Sequence, residues 1–114
     1  MKTRREWTME PLYSTLGGDP DLGDLVTLFV EEMPGRVANF LDLLNRGEWE
    51  ELRRAAHQIK GAAGSYGFGT ITPCAGKLES AIRDHEPEEN IRRAVDDLIS
   101  LCSSTRPGTA SDAQ

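Results

Sequence analysis

Apolar residues in this chain recur at alternating intervals of three and four, and glycine or proline interrupts the pattern at each break. That rhythm follows the turn of an α-helix and draws an apolar stripe down one side of each segment. From Asp21 to Leu44 the stripe is Leu22, Leu25, Val26, Phe29, Val30, Met33, Val37, Phe40, Leu41 and Leu44. Asp19 stands where an N-cap belongs, with Pro20 at the first helical position. Pro34 lies inside the pattern, and the stripe continues in phase beyond it, so a kink is expected there and not an end. Asn45-Arg46-Gly47 reads as the C-terminal stop.

Three further helices follow. The second spans about 48–66 with Trp49, Leu52, Ala56, Ile59 and Ala63 inward, and Gly67-Phe68-Gly69 breaks it. A third starts near Thr70 with Ile71, Cys74, Ala75, Leu78, Ala81 and Ile82, tolerating Pro73 in its first turn. The fourth starts after Pro87 and carries Ile91, Val95, Leu98 and Cys102, with Glu88 and Glu89 at the positive end of its dipole. No strand alternation and no internal repeat is visible. Met9 to Leu16 reads as a short capping helix with Trp7, Leu12 and Leu16 inward. The polar stretch after the fourth helix reads as disordered. The expected fold is all-α: an antiparallel up-and-down four-helix bundle over 19–104, preceded by an N-terminal segment over 1–18 with its short helix and followed by a disordered tail over 105–114.

Length and charge narrow the function. A chain of 114 residues fits one domain with one core. Net charge is −6, against general nucleic-acid binding, which needs a basic face. No apolar run approaches the ~20 residues of a membrane span, and no apolar stretch follows the basic start as a signal peptide requires. The chain opens on Met1 and closes on a soft tail, the expectation for a complete small protein. Cys74 and Cys102 lack the spacing of a disulfide framework or zinc knuckle, and read as small core residues in a reducing compartment.

One stretch breaks the helix rules. His57-Gln58-Ile59-Lys60-Gly61-Ala62-Ala63-Gly64 sets glycine at the fourth and seventh positions after a histidine, on its own helical face. Each interior glycine costs roughly 0.5–1 kcal/mol relative to alanine. Taking about 100° per residue, His57 lies about 130° from the buried stripe, toward solvent. Arg53, Lys60 and Gly64 fall within tens of degrees of it, and Gly61 slightly further round. The sequence therefore predicts an exposed imidazole between two cations on a floor of glycine. Such a ring suits a nucleophile that another macromolecule must reach. The cations are expected to disfavour the imidazolium, favour the free base and stabilise a phosphoryl group carried on the ring. A wider basic patch of Arg53, Arg54, Lys60 and Lys77 would face an acidic partner or simply be a solvated face. His85, between Asp84 and Glu86, reads as a solvated or helix-end residue.

Ala56-His57-Gln58-Ile59-Lys60-Gly61, then Gly67, then Leu78-Glu79, resembles the signature of histidine-containing phosphotransfer (HPt) domains. The resemblance covers roughly Pro20 to Leu101, including helix order and the proline kink. It implies that His57 accepts a phosphoryl group from a receiver-domain aspartate and passes it to another. Lys60 would hold the group or screen its charge, and Gly61 and Gly64 would give the partner access. Arg53, Arg54 and Lys77 would belong to the docking face. The implied partners are receiver domains of response regulators and hybrid histidine kinases, with the Mg²⁺, a lysine and a hydroxyl residue supplied by the receiver and no metal or cofactor held by this chain. A cytoplasmic monomer is the expected form. Pro73-Cys74 stands where many members carry polar residues, which leaves open the side chain that orients the ring. Two other readings differ in class. A docking module without phosphotransfer would need neither His57 nor Lys60. A kinase would need a glycine-rich phosphate loop, and Gly61 to Gly69 does not match one.

Overall fold

The structure, a computed structural model, describes residues 10–110. The expected N-cap does not start a helix: Asp19 Oδ1 accepts from the backbone N–H of Asp21 and Leu22, at 2.7 and 2.9 Å, and so closes a turn through Pro20, while the first helix begins only at Gly23, with Leu22 at its N-cap and no side-chain cap. Helix α1 then spans Gly23–Glu31 and α2 spans Met33–Asn45. The expected kink is a break. Pro34 has no N–H for the carbonyl of Val30, and its ring crowds the preceding turn. The run is interrupted at Glu32, whose backbone stays helical (φ −81°, ψ −12°), and α2 restarts with the proline in its first turn. Helices α3 (Trp49–Ser65), α4 (Ile71–Arg83) and α5 (Glu88–Ser103) follow.

Helices α2, α3 and α4 end in the same way. The residue after the C-cap takes φ +68° at Gly47, +81° at Gly67 and +55° at His85. In each, the next N–H reaches back to the helix: Glu48 to the Leu43 carbonyl, Phe68 to Ala63 and Glu86 to Ala81. These are Schellman closures. His85 is thus a helix-end residue held in the left-handed region, as its loop position suggested.

Helix α2 packs on α3, α3 on α4, α4 on α5, and α5 back on α2, so four helices close a ring around one core. Leu52, Ala56, Ile59 and Ala63 of α3 are buried, as are Leu78 of α4 and Val95, Leu98 and Cys102 of α5. Helix α1 lies outside this ring and packs through Phe29, whose ring stacks on Tyr66 (5.0 Å) and Phe68 (5.8 Å) at the end of α3. Three of the residues assigned inward are exposed: Leu22 (37%), Leu25 (44%) and Leu41 (40%). Leu43, left out of the stripe, is buried. Leu41 and Leu43 stand about 80° on either side of the Phe40–Leu44 line, so spacing cannot choose between them. The helices packed on α2, namely α3 and α5, make the choice.

The chain ends depart most from expectation. The described part of the expected capping helix contains a strand, β1 (Leu12–Tyr13), which pairs in parallel with β2 (Thr105–Arg106), Leu12 opposite Thr105. Trp7 and Met9 of that expected helix lie outside the described residues. The expected tail is ordered over 105–110: Thr105 is buried, and its hydroxyl donates to the Cys102 carbonyl at 2.8 Å. The Leu12 N–H donates to the Ser104 carbonyl and the Thr15 N–H to the Gly67 carbonyl, while the Ser14 hydroxyl donates to the Tyr66 carbonyl. The paired ends thus strap down the α3–α4 loop. A side chain at Gly67 would meet the Ser14 and Thr15 hydroxyls, and one at Gly17 would collide with the Gly108 carbonyl.

Candidate functional site

The apolar stripe of α3 faces the core and turns His57 outward, with 65% of its side chain exposed. One helix away, Leu78 is fully buried in α4 and so directs its neighbour Glu79 to the α3–α4 boundary. Glu79 bridges two residues of α3. Its Oε2 lies 2.8 Å from His57 Nδ1, and its Oε1 accepts from Lys60 Nζ at 2.6 Å. The Lys60 ammonium, with His57 adding to it, holds the Glu79 carboxyl below the usual range against the opposing effect of burial. An ionised carboxylate only accepts hydrogen bonds, so Nδ1 carries the proton. A neutral ring then keeps its lone pair on Nε2.

Neighbouring groups set Lys60 in place. The Thr72 hydroxyl donates to the Lys60 carbonyl at 3.0 Å, tying α4 to α3 one turn past the histidine. A side chain added at Gly76 would lie 3.7 Å from Lys60 Cδ, so the glycine leaves the lysine stem room. On the solvent side of α3, a Cβ at Gly61 would meet nothing within 4 Å, and one at Gly64 would only touch Thr72 Oγ1 at 3.4 Å. Both glycines are exposed.

The expected basic patch is rearranged. Arg53 is engaged by Glu50, its Nε 3.1 and 3.0 Å from the two carboxylate oxygens and its Nη2 2.5 Å from one of them. Its charge still acts on Glu79. Arg54 is exposed and outside the His57–Glu79–Lys60 cluster. Lys77 does not contact His57 but lines an adjoining groove of about 650 Å³ along α4, which Lys60, Gly76, Glu79, Arg83 and Arg93 also border. Two residues escaped the site reading. Arg83 acts electrostatically on both Glu79 and Arg53. Glu79 enters the sequence reading only through the Leu78-Glu79 pair, and its being the single carboxylate in α4 is the signal that marks it.

Cys102 is buried, and burial pushes its thiol up to about 12. Burial raises the Cys74 thiol as well. Neither is a nucleophile at neutral pH. Among the described residues, no three His, Cys, Asp or Glu side chains are grouped to hold a metal, and no helix is long and apolar enough to cross a membrane.

Fold and site together define a helical-bundle protein that presents one surface imidazole, backed by a carboxylate and a lysine. The Hpt domain family model matches residues 24–104, and the chain belongs to that family. Membership implies histidine phosphotransfer in two-component signalling; Hpt domains are phosphocarriers, not kinases, and interact with receiver domains. The match begins inside α1 and ends after α5, so β1 and β2 lie outside it. No curated protein and no solved structure matched the chain.

Proposed function

We propose that His57 is the phosphoacceptor of a phosphorelay carrier, taking a phosphoryl group from one receiver aspartate and delivering it to another. The observation that carries this reading is the His57–Glu79 contact, which commits the proton to Nδ1 and leaves the lone pair on Nε2 of a side chain that is 65% exposed. Nε2 attacks the phosphorus of an aspartyl phosphate. A P–N bond forms as the P–O bond to the aspartate breaks, and the carboxylate leaves with the bonding pair. The ring becomes an imidazolium whose Nδ1 proton still points to Glu79, and that carboxylate offsets the new charge. No proton has to move. Lys60, within reach of the ring, screens the phosphoryl oxygens. Gly61 and Gly64 let the partner backbone approach the ring closely. Delivery is the reverse reaction with a second receiver. Catalysis is then positioning and charge neutralisation around an in-line transfer.

In this reading the receiver supplies Mg²⁺ and the groups that hold it, and the protein works as a monomer in the cytoplasm, where it meets receivers. The short loops and the order of cross-contacts favour consecutive helices running antiparallel: Thr72 meets Lys60, and Glu79, seven residues further along α4, reaches back to His57. The test is transfer from receiver domains carrying labelled phosphate on their aspartate. Wild-type protein takes an acid-labile label and His57→Gln takes none. Equal labelling of the two sinks the assignment, and stable binding without label transfer would replace it with a docking module.

A further inference from the structure

Glu79 has to serve two α3 residues before the reaction and faces a third charge after it. A phosphoryl group on Nε2 adds negative charge beside a carboxylate that already holds Lys60 at 2.6 Å. Lys60 cannot stay with Glu79 and fully neutralise the phosphoryl group. Arg53, one turn before His57, is occupied by Glu50 through two nitrogens. The site as first read from the sequence is therefore short of one cation.

Arg83 supplies it. It follows Glu79 by one turn on the same face of α4. It borders both grooves that flank this stretch: the one shared with Lys60 and Glu79, and a second of about 640 Å³ lined by Trp49, Glu50, Arg53 and Ile82. Its side chain is 64% exposed, and its one ion pair is with an exposed neighbour, Asp84 Oδ1, 3.1 Å from Nε. Both terminal nitrogens of the guanidinium are without a partner among the described residues. A surface pair of this kind is worth little and is readily exchanged. A guanidinium fork matches phosphoryl oxygens better than a single ammonium does.

We propose that Arg83 leaves Asp84 for the phosphoryl group on His57 and, as a phosphoryl-binding residue, sets how long the phosphohistidine survives and how far transfer runs toward this protein. The inference rests on His57 being the acceptor. The experiment labels the full chain from a phosphorylated receiver, then measures the equilibrium ratio of labelled carrier to labelled receiver and the half-life of the isolated phosphoprotein. For Arg83→Ala, both fall about fivefold, the scale of one partly exposed charge-assisted hydrogen bond. Arg83→Lys recovers part of the loss. Asp84→Ala, which frees the guanidinium, moves both values the other way. The thermal midpoint of Arg83→Ala stays at the wild-type value, which a merely structural role would not allow. Ratios and half-lives within twofold of wild type for Arg83→Ala would overturn the proposal while leaving His57 as acceptor. Failure of the wild type to accept label would instead remove the reading beneath it.

Discussion

Glycine stands in two regions of the molecule, at the strap and beside His57, for opposite reasons. At the strap, Gly17 and Gly67 are where another part of the chain already is: the Gly108 carbonyl at one, the Ser14 and Thr15 hydroxyls at the other. Gly67 is also held at φ +81°, where a Cβ is strained. Beside His57, Gly61 meets nothing, and Gly64 barely touches Thr72. The first pair is explained entirely by the folded chain. The second pair weakens a helix for no internal gain, so its reason lies in something that approaches from outside. One residue type thus separates what the molecule needs to fold from what it needs to be used.

The largest effects belong at the strap. Gly67→Ala should lower stability by about 2–3 kcal/mol, combining backbone strain with crowding against β1's neighbours. Urea unfolding measures it, and a loss below a few tenths would mean that the terminal segments yield freely. The histidine face should respond with the opposite sign. Gly61→Ala should raise stability by about 0.5–1 kcal/mol, because only helix propensity changes. The same variant should slow transfer from a receiver by roughly tenfold, since small misplacements of reacting groups are costly. A variant that is more stable and equally fast would erase the distinction between the two regions.

The smallest effect concerns the clamp between them. Glu79 has a lowered carboxyl value in the folded protein. Its contribution to stability is therefore complete above the ordinary carboxyl value of about 4.3 and is lost as pH falls through the lower folded value. The stability gap between wild type and Glu79→Gln should be constant near neutral pH and shrink in acid. A gap unchanged down to strongly acidic pH would show that the carboxylate charge is not what joins α3 to α4.

What could be read in advance follows from how local each feature is. The stripes of α3 and α5 were legible because consecutive turns of one helix carry them, and the outward direction of His57 follows from the same count. The Gly47 stop is equally local. Leu41 and Leu43 were not separable, because their burial is decided by the other helices that pack on α2, and not by spacing within it. Glu79 reaches His57 across 22 residues of sequence, and no spacing within either helix encodes that meeting. The two strands are two residues each, too short to display alternation, and their partner lies at the other end of the chain.

That parallel pairing has a mechanical consequence. The chain enters β1 at Leu12, beside Thr105, and leaves β2 past Arg106, at the opposite end of the ribbon. Tension applied between the two termini would load the strands lengthwise, in shear, so that their hydrogen bonds resist together instead of parting one at a time. The same ribbon holds the loop after α3 through Ser14 and Thr15. Under pulling, the first barrier would be the clip at the chain ends, and the histidine helix would remain shielded until that clip gives way.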